Sequence, residues 1–426
     1  MSTHSTIHPG VAPPARFDGW RAVAAAFVVA VFGWGIGFYG PPVYLEAVRQ
    51  QNGWPIALVS GAVTLHFLAG VGVVANLPRL HARFGLPAVT VAGAALLAIG
   101  VVGWSLAGSP WQLYAASLLT GAGWPALGAA AVNAIVAPWF VAKRPAALSM
   151  AYNGASIGGV VFSPLWVLLI ERVGFPAAAL GIGAVTLVAI GGLALGPLRR
   201  TPETTGQSPD GGEAAGSGVV AASVSPPPVE RLSGDRAFVT LALGMALALF
   251  AQIGLLAQLV SLLVPVLGTR GAGLAAGLST ASAILGRLAV GWFMPPRLDR
   301  RVVASASLAV QAVGMAVLWR AGGESAWPIL LGVVLVGLGI GNATSLPPLI
   351  AQVEFAKAQS IRVVALIVAV SQAAYAFAPA IFGLVRQTIA DGAIFGLAIA
   401  VQAAAVAAYL AGAGAAARRR GGIGLP

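Results

Sequence analysis

Twelve apolar stretches, split six and six by one polar segment, constrain this chain more than any other feature. Each holds about twenty residues or more, enough for a helix to cross a hydrocarbon core of roughly 30 Å. Lipid offers the backbone no hydrogen-bond partner, so such segments satisfy their amides internally, as helices. The stretches run 22–45, 56–77, 88–107, 112–136, 147–170 and 176–196, then 237–266, 272–293, 302–320, 327–352, 363–385 and 392–413. They predict an all-α membrane protein: a tail at 1–21, a six-helix bundle at 22–196, a linker at 197–236, a second bundle at 237–413 and a basic tail at 414–426. The linker is rich in Pro, Gly, Ser and charge, with too little apolar surface to fold alone. The two halves echo each other. Pro78-Arg79-Leu80 follows the second stretch, and Pro296-Arg297-Leu298 follows the eighth, 218 residues later. That match suggests two parallel repeats about an axis normal to the membrane.

Charged residues are only 8% of the chain, against about a quarter in soluble proteins, and no sizeable soluble domain fits among the spans. The net charge of +12 does not indicate a nucleic-acid partner, because the basic residues mark alternate loops rather than one surface. Of the 24 Lys and Arg, eighteen fall on the side shared by the termini, five on the other, and Arg287 inside a span. This positive-inside bias places both termini in the cytoplasm. The polar start and the lack of a cleavage site argue against a removable signal peptide. Usage rich in Ala, Gly and Arg matches a GC-rich bacterial genome, hence an inner (cytoplasmic) membrane. There is no cysteine, and the four histidines show no metal spacing, so no metal or cofactor is expected. Gly35-x-Gly37-x-x-Gly40 spells a dinucleotide fingerprint, but it lies in an apolar helix with no preceding strand. Arg418, Arg419 and Arg420 read as an anchor to anionic lipid.

Two six-span halves, a polar central loop and basic loops after spans two and eight resemble the major facilitator superfamily. Its Gly-x-Leu-x-Asp-Arg-x-Gly loop is matched at Leu80, Arg83 and Gly85, with Pro78 and Ala82 in place of Gly and Asp. Trp139-Phe140, Lys143-Arg144 and the small residues Ala147, Ala151, Gly154 and Gly158 are similar to monocarboxylate porters, as is Asp18-Gly19-Trp20. Ser149 and Asn153 depart from that pattern. Gly286-Arg287-Leu288, with Gly291-Trp292, looks like oxalate–formate antiporter relatives, in which an Arg of span eight meets the carboxylate. The resemblance implies conformational-switch loops at Arg79, Arg83, Gly85, Lys143, Arg144, Arg297, Asp299 and Arg301.

The remaining question is which polar residues the spans tolerate. Thr280, Ala283 and Gly291 share the face of Arg287, a small and weakly polar stripe suited to a cavity or a helix contact. No Asp or Glu lies in a span core to neutralise Arg287, and a substrate carboxylate would fit its planar fork. The alternative is a guanidinium near the span end, bound to lipid phosphate or backbone carbonyls. Tyr39, Tyr152, Asn153, Gln372, Tyr375 and Asn342 supply neutral donors and acceptors that could shape and solvate a small anion, or bond neighbouring helices. His66 is the titratable candidate for proton coupling, the alternative being a packed, hydrogen-bonded ring. Together these readings predict a transporter of a small organic anion, a monocarboxylate by preference, working by a rocker switch as a monomer. Export of hydrophobic or drug-like compounds is the alternative within transport; a non-transporting receptor or scaffold is the alternative outside it. No nucleophile, acid pair or metal cluster suggests an enzyme.

Overall fold

The computed structural model describes residues 17–211, 232–294, 298–321 and 325–422, and among these every regular element is helical. Twelve crossings result, six in each half. Spans 2, 3, 5 and 6 are Ile56–Phe84, Leu86–Leu106, Arg144–Val173 and Phe175–Leu195; spans 9, 10 and 12 are Arg300–Arg320, Ala326–Glu354 and Ala393–Gly422. Three expected spans are broken. Span 1 is Gly19–Gly37 and Pro41–Asn52, span 4 is Pro110–Gly123 and Ala129–Val136, and span 11 is Lys357–Tyr375 and Ala378–Thr388. Each break falls at a proline (Pro41, Pro125, Pro379), which lacks the N–H that would continue the ladder. Spans 7 and 8 show the opposite departure. They form one helical run, Arg236–Phe293, folded only at Gly268, whose φ of 67° and ψ of 171° are open to glycine.

The repeat is visible in the packing. In the first half Gly154 and Gly158 of span 5 press on the Phe27 and Val31 carbonyls of span 1, and Gly121 of span 4 presses on span 2 at His66. In the second half Gly337 of span 10 presses on span 8 at Ser279, and Gly341 on Ala283. A Cβ at any of these positions would collide with the facing backbone, so small residues set the helix spacing.

The halves meet only over part of their length. Gln258 of span 7 donates to Ser60 of span 2 at 2.9 Å, and the Ala380 amide donates to Thr64 at 2.9 Å. The Ala57 amide donates to Gln387, and Arg270 pairs with Glu171. Span 5 touches span 8 where Gly273 meets Val167 and Gly277 meets Pro164. These contacts lie toward the membrane face opposite the termini. Toward the terminal face the same helix surfaces separate. Met150, Asn153 and Ile157 continue the contacting face of span 5 and are exposed; Leu288 and Gly291 continue that of span 8 and are exposed too. The molecule is a V, sealed at the far apex and open toward the termini.

Two features near the terminal face were not foreseen. The first is the setting of Arg301, expected in a conformational-switch loop. Arg301 is fully buried: it donates to both Glu354 oxygens at 2.7 and 2.8 Å, to Thr240 at 3.0 Å and to the Ala237 carbonyl at 2.8 Å. Those bonds tie span 9 to spans 7 and 10. The second is the stretch expected to be a flexible linker, which is structured over 197–211. There Asp210 accepts from the Val141, Ala142 and Lys143 amides at 3.1, 2.8 and 3.0 Å. Those amides, Ala142 foremost, hold its carboxyl below the usual range. The contact is therefore present at neutral pH and is lost as pH falls through that lowered value. Residues 1–16, 212–231, 295–297, 322–324 and 423–426, and the side chains of Arg418 to Arg420, lie outside the described part.

Removing one partner of a buried ion pair leaves a charge without compensation. Glu354→Ala is expected to cost about 3–5 kcal/mol, and the double variant Glu354→Ala with Arg301→Met much less. Thermal unfolding of the detergent-solubilised protein, read as a double-mutant cycle, checks this.

Candidate functional site

The break in span 1 organises the site. Pro41 has no amide hydrogen for the Gly37 carbonyl, and the Tyr39 amide turns back to Trp34. Three carbonyls are left for side chains to satisfy. His66 Nε2 meets the Gly37 carbonyl at 2.8 Å, the Tyr44 hydroxyl donates to Ile36 at 3.2 Å, and Trp166 donates to Gly35 at 3.3 Å. His66 Nδ1 faces the Thr120 hydroxyl at 2.9 Å, and the ring is fully buried. His66 therefore braces spans 1, 2 and 4 with both nitrogens engaged.

The same break turns Tyr39 toward the other half. It lies against Gly159 of span 5 and Thr280 of span 8, and its hydroxyl meets the Thr280 side chain. Together with Phe38, Phe67, Ser163, Ile253, Leu256, Val260 and Thr280, Tyr39 lines a small, partly open pocket where the two halves meet. It lies at the apex.

Arg287 lies two helical turns below Thr280 on the same face of span 8. It is half-buried and, among the described residues, has no carboxylate partner. Its buried Nε has no hydrogen-bond acceptor. Gly341 of span 10 allows its stem to pack close: a Cβ there would stand 3.2 Å from Arg287 Cβ and Nε. Asn342, one residue on, is buried. It donates weakly to the Gly286 carbonyl at 3.4 Å, and its Oδ1 has no partner.

The other expected residues are more scattered. Tyr375 reaches the site through Phe67, whose ring it meets edge-on at 5.7 Å across the halves. Gln372 is half-buried one turn earlier on span 11. Asn153 is exposed on the open wall. Tyr152 is occupied elsewhere: Asn133 donates to its hydroxyl at 2.6 Å, and the hydroxyl donates to Ala129 at 3.1 Å, bracing spans 4 and 5.

Among the loop residues, Arg79 donates to Asn76 and is exposed, and Arg83 stands over the Phe84 ring at 5.2 Å. Gly85, at φ 80°, joins spans 2 and 3 in a single residue. Lys143 presents its amide to Asp210, and Arg144 donates to the Phe140 and Ala137 carbonyls. Asp299 caps span 9 through the Arg301 amide, and Arg297 lies outside the described residues. Sequence reasoning missed the seal itself. Arg386 donates to Gln258 at 3.0 Å and to Ser261, and pairs with Asp391 at 2.8 Å, while Gln258 crosses to Ser60. Its only prior signal was a basic residue at a span end.

The Major Facilitator Superfamily model matches residues 22–379. Human monocarboxylate transporter 11 is 28% identical over 352 residues, 78% of this chain and 69% of that one. The transporter asaE of Aspergillus flavus is 26% identical over 359 residues, 81% of this chain and 75% of that one. MFS-type transporter 1 of an Ophiocordyceps species is 30% identical, but the match spans only 40% of its length. Among solved structures, the nucleoside transporter NupG superposes with a TM-score of 0.70 over 92% of this chain and 99% of that one, at 12% identity. A bacterial homologue of the human lysosomal transporter Spinster superposes with a TM-score of 0.68 over 96% and 98%, at 14% identity.

His66→Leu leaves the Gly37 carbonyl without a donor and is expected to lower stability by about 1–3 kcal/mol. His66→Gln keeps an N–H and should retain most of it. Thermal unfolding of the two variants side by side distinguishes a brace from a bystander.

Proposed function

The chain belongs to the major facilitator superfamily and is a membrane transporter, and from that premise we propose that its cargo is a small organic monoanion, most simply a monocarboxylate. The observation that carries this reading is the Arg287 guanidinium, unpaired just beneath the seal. A cation in a low-dielectric cleft is stabilised by an anion, and a carboxylate matches the guanidinium fork in shape and charge. The relatives named monocarboxylate transporters support the same class. Phe38, Phe67, Ile253, Leu256 and Val260 around Tyr39 suit an apolar remainder on the carboxylate. A purely hydrophobic or cationic compound would leave Arg287 uncompensated, which disfavours drug export.

Movement follows from where the binding groups sit. Tyr39 belongs to the first half and Arg287 to the second. An anion held by Arg287 and reaching Tyr39 at the contact between the halves would draw the second bundle toward the first below that contact. Closure there, with release of the Gln258–Ser60 and Arg270–Glu171 contacts, turns the V over and opens the far side. The positive-inside bias makes the terminal face cytoplasmic, so the form described opens inward. Asn342, Gln372, Tyr375 and Asn153 line or flank the path; Tyr152 serves as a brace. With both His66 nitrogens engaged and no acid in a span core, uniport or anion exchange fits better than proton symport.

Uptake of labelled carboxylates into proteoliposomes tests the assignment. Arg287→Ala should raise KM about thirtyfold or more, from the ~2–5 kcal/mol carried by a buried charge contact. Arg287→Lys keeps the charge without the fork and should fall between. Unchanged uptake by the Ala variant removes the carboxylate assignment. Because the chain has no cysteine, single cysteines report the open side. In inside-out vesicles an impermeant thiol reagent should label Leu288→Cys and Asn153→Cys, while Ser60→Cys stays protected in either vesicle orientation. Labelling of Ser60→Cys with protection of Leu288→Cys would reverse the assigned conformation.

A further inference from the structure

A second feature lies on the outer surface, away from the cleft. The terminal ends of spans 1 and 6 frame a groove of about 360 Å³, lined by Arg21, Ala24, Ala25, Val28, Leu193 and Arg200, with Gly196 and Pro197 at its base. Its rim is charged. Asp18 takes Arg21 Nη1 at 3.1 Å on one oxygen and Arg200 Nη1 at 2.9 Å on the other. Two guanidinium groups thus share one carboxylate, leaving one positive charge in excess. Asp18 is nearly enclosed, at 11% side-chain exposure, whereas Arg21 and Arg200 are 59% and 49% exposed. Beyond that one bond each, neither guanidinium has a further hydrogen-bond acceptor among the described residues. Their remaining N–H groups are free at the groove's mouth.

Below the rim the walls are apolar. Ala24 and Val28 follow Arg21 down one face of span 1, and Leu193 stands opposite on span 6. Trp20, 42% exposed and next to Arg21, sets the level of the membrane interface. A cationic rim at the interface, over an apolar slot that descends into hydrocarbon, is the shape of a phospholipid.

We propose that this groove binds an anionic phospholipid of the terminal-side leaflet. Its phosphate bridges Arg21 and Arg200, and one acyl chain lies along Ala24, Val28 and Leu193. A zwitterionic lipid brings its own cation beside the two guanidinium groups and binds less well. The site is independent of the transported anion. It also sits on the joint where the connecting segment leaves span 6, since the Asp18 amide donates to Gln207 of that segment at 2.9 Å.

Native mass spectrometry of the full-length protein, with phosphatidylglycerol and phosphatidylcholine offered in competition, tests the proposal. The protein should retain phosphatidylglycerol about fivefold over phosphatidylcholine. Arg21→Gln with Arg200→Gln should abolish the preference. Val28→Trp, which fills the slot and keeps the charges, should reduce retention as strongly, and millimolar inorganic phosphate should not displace the lipid. Equal retention of the two lipids, undiminished retention by Val28→Trp, or displacement by phosphate would each overturn it.

Discussion

Hydrocarbon gives a polar group no second choice of partner, and nearly every specific feature of this fold answers to that fact. Where Pro41 removes an amide from span 1, the freed carbonyls are met by His66, Tyr44 and Trp166 rather than left bare. Where a guanidinium enters the second bundle at Arg301, Glu354 takes it bidentately and backbone carbonyls absorb the rest. Arg287 stands out against this background. It is half-buried where Arg301 is fully enclosed, and its buried Nε has no acceptor. With the unpartnered Asn342 Oδ1 near it, this guanidinium is the group that the proposed anion would complete.

The two bundles solve their internal packing in parallel but hold their terminal ends differently. The second bundle carries the Arg301–Glu354 pair. The equivalent of Arg301 in the first repeat is Arg83, which lies exposed against Phe84 with no acid beside it. There the fastening comes from the connecting segment, through Asp18 with Arg200 and through Asp210 on the amides after Phe140. The inter-bundle segment is thus partly a structural element of the first bundle, and an anionic lipid at Arg21 and Arg200 would bear on the same fastening.

The sequence disclosed the features that depend on apolar length and on rarity. Twelve spans follow from runs of about twenty apolar residues, and Arg287 stood out as the one basic residue within a span. The breaks in spans 1, 4 and 11 carry proline signals, but which carbonyls would be exposed, and what would satisfy them, depends on neighbours far along the chain. The burial of Arg301 was not legible because its mate, Glu354, is 53 residues away and the pairing exists only once spans 9 and 10 pack. For Tyr152 the two readings, substrate contact or a bond to a neighbouring helix, could not be separated until Asn133 was brought to it. The seal of Ser60, Gln258 and Arg386 joins three spans from two halves, a relation that no local pattern encodes.

Gly268 is the entire connection between the seventh and eighth crossings. Its backbone angles exclude an ordinary residue, and with no intervening loop there is nothing to pay out or unfold. The hairpin can only tilt as a unit. Under the proposed rocking motion, exposure of the far face would be a lever motion, in which the angle swept by spans 7 and 8 together sets the width of the opening. A larger solute would need a wider swing, because this corner offers no slack.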